Sequence, residues 1–158
     1  MQRIVPFLWF DGCAEEACNF YVSIFKKSRV AKVTHYGEGM PGPAGSVMIA
    51  TCELDGQEFV ALNGGPQFKF NESVSFYVKC DTQDEIDYYW QRLCADGGKE
   101  VQCGWLKDKY GLCWQVVPRI IDEFLSDKAP SKRDSVMRAV MQMVKLDIAA
   151  LKKAHAEG

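Results

Sequence analysis

Residues 6–25 read PFLWFDGCAEEACNFYVSIF, and residues 73–93 read SVSFYVKCDTQDEIDYYWQRL. The two stretches share one plan. Each opens with an apolar run of strand length, places an aspartate where that run ends, and continues into a helix with neighbouring aromatics: Phe20-Tyr21 in the first, Tyr89-Trp90 in the second. In the first helix, expected over Ala14–Phe25, residues Ala17, Cys18, Tyr21, Ile24 and Phe25 fall on one face. Glu15 and Glu16 fall in its first turn, where the helix dipole favours carboxylates. In the second, Thr82 and Glu85 form a capping box ahead of Ile86, Tyr89, Trp90 and Leu93, and Gly97-Gly98 ends the helix.

The first run is read as a strand over Ile4–Phe10 and the second over Ser73–Cys80. The first helix is followed by strands at Arg29–Tyr36, Ser46–Leu54 and Gln57–Asn63, the last two joined by Asp55-Gly56, a strong hairpin signal. After the second helix, Lys99–Lys107 supplies one or two strands and Leu112–Pro118 the last. The Gly/Pro-rich stretch Gly37–Gly45 (GEGMPGPAG) reads as a mobile loop, and Asn63–Asn71 (NGGPQFKFN) as a second loop. The order β-α-β-β-β therefore occurs twice, and a repeat of this kind fixes an architecture. The expected fold is α+β: two βαβββ modules, about residues 3–64 and 73–118, forming one domain over residues 1–118. Residues 119–158 read as a C-terminal extension, with a polar linker and one long helix from about 132 to 153. Val136, Met137, Val140, Met141, Met143, Val144, Ile148 and Leu151 cover more than a narrow stripe of that helix, so it needs cover from the body or from another subunit.

Composition narrows the function. The chain has 158 residues, 25% of them charged, with net charge −2, which offers no electrostatic case for nucleic acid or an anionic membrane. No apolar run approaches the roughly 20 residues of a membrane-spanning helix. The start, MQRIVPFLWFDG, lacks the apolar region and cleavage site of a signal peptide, so a cytoplasmic protein is expected. The seven cysteines include no C-x-x-C pair and sit mostly in apolar segments, as small buried hydrophobes do in a reducing compartment. His35 and His155 are the only histidines; His35 reads as a surface residue and His155 lies in the tail.

Gln115 interrupts the last apolar strand. Alternation puts Cys113, Gln115 and Val117 on one face and Leu112, Trp114 and Val116 on the other. An amide buried without partners costs a few kcal/mol, so Gln115 faces either a ligand or a protein partner such as Ser75.

The duplicated plan resembles the vicinal oxygen chelate superfamily, which includes glyoxalase I, extradiol dioxygenases and the bleomycin- and fosfomycin-resistance proteins. PFLWFDGCAEEACNFYVSIF, LNGGPQFKF, SFYVKCDTQDEIDYYW and QCGWLKDKYGLCWQVVP are similar to the PhnB-like branch, whose members often carry the label 3-demethylubiquinone-9 3-methyltransferase. The resemblance implies curved sheets around a cleft, and in metal-dependent members four strands each pointing a ligand inward. Those slots fall near Ile4–Pro6, at Ala61 or Asn63, at Ser75 and at Gln115. Neutral side chains there do not suit a divalent cation, which prefers imidazole, carboxylate or thiolate, so no metal and no cofactor are expected. The label implies a methyl donor, but no strand leads through a Gly-rich turn into a helix as a Rossmann-type cofactor site requires. The ligand-binding candidates are Trp9, Asn63, Phe68, Phe70, Ser75, Gln102, Trp105, Lys107 and Gln115. The glycines at 64 and 65 either make a plain tight turn or let the backbone approach a ligand. The expected protein is a homodimeric, metal-free binder of an unidentified small molecule. The rival readings are a metal-dependent glyoxalase- or dioxygenase-type enzyme and an antibiotic-sequestering protein.

Overall fold

The computed structural model describes residues 2–158, in two units: one ends at Phe70 and the other spans Asn71–Gly158. The first unit carries β1 (Phe7–Phe10), α1 (Ala14–Ile24), β2 (Arg29–His35), β3 (Val47–Leu54) and β4 (Gln57–Asn63). Its sheet runs β1-β4-β3-β2, with β1 parallel to β4 and the other pairs antiparallel. The second unit repeats the order with β5 (Ser75–Cys80), α2 (Gln83–Leu93), β6 (Lys99–Glu100), β7 (Trp105–Lys107) and β8 (Cys113–Pro118). Its sheet runs β5-β8-β7-β6, again with one parallel pair. The expected α+β duplication is present as two open, mixed four-stranded sheets. The first strand is shorter than expected, because Pro6 joins the ladder only through its carbonyl, which accepts the Val60 N–H.

In the first unit the apolar stripe of α1 (Ala14, Ala17, Cys18, Tyr21, Ile24) is buried, as are Leu8, Phe10, Ala50, Cys52, Phe59 and Ala61 of the sheet. Burying side chains the size of Ile24 or Leu8 stabilises a fold by about 1.5–3 kcal/mol each. The β3–β4 hairpin turns at Asp55 and Gly56, both at positive φ (46° and 84°), the conformation a two-residue turn between twisted strands requires. In the second unit α2 buries Ile86, Trp90 and Leu93. The Thr82 hydroxyl accepts the Glu85 N–H at 3.2 Å, and Glu85 returns a bond by accepting the Asp81 N–H at 2.7 Å.

The C-terminal segment departs from the expected single helix. It forms α3 (Ile120–Leu125), α4 (Pro130–Met141) and α5 (Ile148–Glu157), with residues 142–147 irregular. Two causes are visible. Asp147 caps α5 by accepting the Ala150 N–H at 2.7 Å, and the Met143 and Val144 carbonyls accept the Cys103 and Gly104 N–H groups at 2.8 Å each. The break also lets Leu146 reach a core with Val117, Ile121, Phe124, Val136, Val140 and Leu151. The apolar tail is thus covered largely by its own unit, leaving Met137, Met141 and Val144 outside. No helix among the described residues is long and apolar enough to cross a membrane.

Candidate functional site

Strand register sorts the side chains of the second sheet. Ser75 stands opposite Cys113, Tyr77 opposite Gln115, Trp105 opposite Gln115, and Lys107 opposite both Cys113 and Lys99. All of these lie on one face. The other face carries Phe76, Leu106, Trp114 and Val116, together with Glu100, whose carboxylate accepts the Trp90 indole N–H from α2 at 2.6 Å. The first set therefore occupies the face turned away from α2, and of the expected candidates Ser75, Trp105, Lys107 and Gln115 come together there.

Gln115 is half-buried and donates from Nε2 to the Ser75 Oγ at 2.8 Å. The bond joins two of the expected metal slots to each other. It uses one Gln115 N–H and one Ser75 lone pair, and so leaves the Gln115 Oε1 and the Ser75 hydroxyl hydrogen for other partners. Lys107 forms an ion pair with Glu72, which holds the Glu72 carboxyl below its ordinary range and the ammonium above its own. Lys79, on the same face, pairs with Asp122 at 3.0 Å. Sequence reasoning passed over Tyr77, Lys99 and Glu72, although the alternation in SFYVKC already puts Ser75, Tyr77 and Lys79 on one side. Gln102 is not part of this face: it lies exposed in the turn before β7, where its carbonyl accepts the Trp105 N–H.

The first unit uses its candidates differently. Trp9 lies on the face away from α1, and its indole N–H donates to the Gly65 carbonyl at 2.8 Å. Its ring fills the space a Cβ at Gly64 would need, so Gly64 admits tryptophan rather than a ligand. Phe68, 65% exposed, meets Trp9 edge-on with centroids 4.9 Å apart. Phe70 packs edge-on against Phe10 at 5.2 Å, and Phe10 belongs to the α1 side of β1, so the two phenylalanines do not share a surface.

Asn63 corrects the sequence reading. Its Oδ1 accepts the Ala14 N–H at 2.8 Å, its Nδ2 donates to the Val47 carbonyl at 3.0 Å, and its own carbonyl accepts the Tyr36 hydroxyl at 2.6 Å. The amide is occupied in holding the start of α1 to the sheet. Ala61, the alternative slot, is 1% exposed on the same side. Asn63 also borders a recess of about 540 Å³ with Asp11, Glu15, Glu16, Tyr36 and Pro43. The GEGMPGPAG loop that walls the recess is tied down: the Tyr36 N–H donates to the Ser46 carbonyl, the Gly45 N–H to the Tyr36 carbonyl, and the Tyr36 ring packs on Gly42.

The donor set does not fit a divalent ion. Ser75 and Gln115 are neutral and bonded to each other, and Ala61 and Asn63 face α1. Among the described residues no group of three or more His, Cys, Asp or Glu side chains is placed to hold a metal. All seven cysteines are free thiols, and burial pushes Cys80 up to about 12 and Cys94 up to about 11, away from thiolate character. Asp108 is 3% exposed and accepts the Tyr110 and Leu112 N–H groups and the Trp114 indole N–H.

Residues 2–117 match the family model described as 3-demethylubiquinone-9 3-methyltransferase. Among solved structures, the PhnB protein of Bacillus cereus, provisionally assigned as a 3-demethylubiquinone-9 3-methyltransferase, is 40% identical; the match covers 74% of this chain and 99% of that one, with a TM-score of 0.68. Protein PA1353 of Pseudomonas aeruginosa is 21% identical over 75% of this chain and 98% of its own, with a TM-score of 0.61. The fosfomycin resistance protein FosX of Listeria monocytogenes shares the fold at 14% identity over 80% of this chain and 98% of its own, with a TM-score of 0.56. A search of curated proteins found no match.

Proposed function

The chain belongs to the 3-demethylubiquinone-9 3-methyltransferase family, the PhnB-like branch of the vicinal oxygen chelate fold, and from that premise we propose that it binds a small molecule on the open face of its second sheet without a resident metal ion. The observation that carries this reading is the Gln115 to Ser75 hydrogen bond: hydroxyl and amide groups line the face where an ion would need charged donors. Trp105 and Tyr77 supply aromatic surface, and the half-buried polar groups between them fix orientation, the usual composition of a small-molecule site. The family name speaks of methyl transfer. Neither sheet is the doubly wound parallel sheet on which a Rossmann-type donor sits, so we infer that the name does not describe this chain's chemistry. Exposed Phe7, Phe68 and Met141 support assembly as a homodimer, two-fold pairs being the commonest assembly. Sedimentation as a monomer at micromolar concentration contradicts the dimer. The free thiols support residence in the cytoplasm. The binding face is tested by an NMR screen of neutral and charged aromatic fragments against the ¹⁵N-labelled full chain. Hits that shift the Ser75, Trp105 and Gln115 amides support it, and hits confined to other residues sink it.

A further inference from the structure

We propose, on the reading that the open face of the second sheet is the binding surface, that its ligand is a small planar anion, with a carboxylate or phosphate between Lys99 and Lys107 and its flat body against Trp105. The register sets Lys99 directly opposite Lys107 on adjacent antiparallel strands. Like charges in that position destabilise a sheet, and a negative charge placed between them relieves that cost. One carboxylate is present. Glu72 pairs with Lys107 from the loop before β5, with a side chain 65% exposed, and Lys99 has no ion-pair partner among the described residues. The spot therefore keeps an excess positive charge within a chain of net charge −2.

The neutral groups of the face point the same way. The Trp105 indole N–H sits in a half-buried ring without an acceptor among the described residues, and the Ser75 hydroxyl accepts from Gln115 and so has its hydrogen to donate. With the two ammonium groups these make a face richer in donors than in acceptors, the Gln115 Oε1 and the Tyr77 hydroxyl being acceptors on it. A ligand rich in acceptors and negatively charged satisfies such a set, and a planar body lies on the indole while its charged group displaces the exposed Glu72.

The test titrates the ¹⁵N-labelled full chain with 1-naphthoate, 1-naphthyl phosphate and neutral 1-naphthamide, following the Ser75, Trp105, Lys107 and Gln115 amides and the Trp105 indole signal. At least one anion is expected to shift these signals and to bind about tenfold or more tighter than the amide. That preference should shrink in about 0.5 M salt and in Lys99→Gln and Lys107→Gln, two partly exposed substitutions that leave the spectrum otherwise native. Equal binding of all three probes at these residues overturns the anion preference and leaves the binding face standing. Absence of shifts at these residues with every probe overturns both.

Discussion

The two modules have the same strand order and tie their parts together in opposite ways. In the second, the ties at the start of its helix and at the turn before β8 are local. Thr82 caps α2 three residues on, and Asp108 closes its turn by accepting from residues two, four and six positions away. In the first, Cys13 gives α1 no side-chain cap, and the Ala14 N–H is taken instead by Asn63, 49 residues away at the end of β4. The same polar residue types thus do structural work in both halves, but only the local ties can be read from spacing. A polar side chain at a strand end in this architecture is therefore a candidate tie before it is a candidate ligand group.

The largest effect is expected where a local tie is also charged and buried. Asp108→Ala strips the acceptor from two backbone N–H groups and one indole, and should cost about 3–5 kcal/mol, read as a lowered midpoint in chemical denaturation. Asp108→Asn keeps one carbonyl acceptor and should recover part of the loss. A change under about 1 kcal/mol for the alanine variant would show that the turn holds without its carboxylate. Next comes the remote tie. Asn63→Ala should release the start of α1 by about 2 kcal/mol, a roughly 30-fold loss of hydrogen-exchange protection in its first turn. The matching local change, Thr82→Ala, should cost about 1 kcal/mol, a roughly fivefold loss at the start of α2. If the two helices respond alike, the contrast between the modules is broken.

The smallest effect concerns pH. Asp127, between α3 and α4, accepts the Ala129 N–H and meets His155 of α5 at 2.9 Å, and these bonds hold its carboxyl below the usual range. A depressed folded value contributes stability that is present above the ordinary aspartate range near pH 4 and is lost as pH falls through the folded value. Asp127→Asn should therefore lower stability at pH 6 and flatten its decline toward pH 3, and parallel pH profiles for the two proteins would contradict this.

The contrast also explains what could be read in advance. The repeat, the Asp55-Gly56 turn and the Thr82 box all follow from short-range pattern, period and turn chemistry, whereas the shared face of Ser75 and Gln115 is implied by the family resemblance. The role of Asn63 did not follow from such pattern, because its partners Ala14 and Val47 come from a helix and a strand distant in sequence. The choice at Gly64 between a tight turn and room for a ligand was also non-local, since the ring that fills the space belongs to Trp9, 55 positions earlier. The break at residues 142–147 had one local sign, an aspartate three residues before Ala150. Its stronger cause, the β6–β7 turn recruiting the Met143 and Val144 carbonyls, is again non-local.

Gln115 and Ser75 remain the pair on which the functional reading turns. Anomalous diffraction from crystals grown with manganese, nickel or zinc tests them most directly. Slots that hold each other by an amide–hydroxyl bond should show no anomalous peak within about 2.5 Å of the Gln115 Oε1 or Ser75 Oγ. An ion bound there by protein atoms would contradict it.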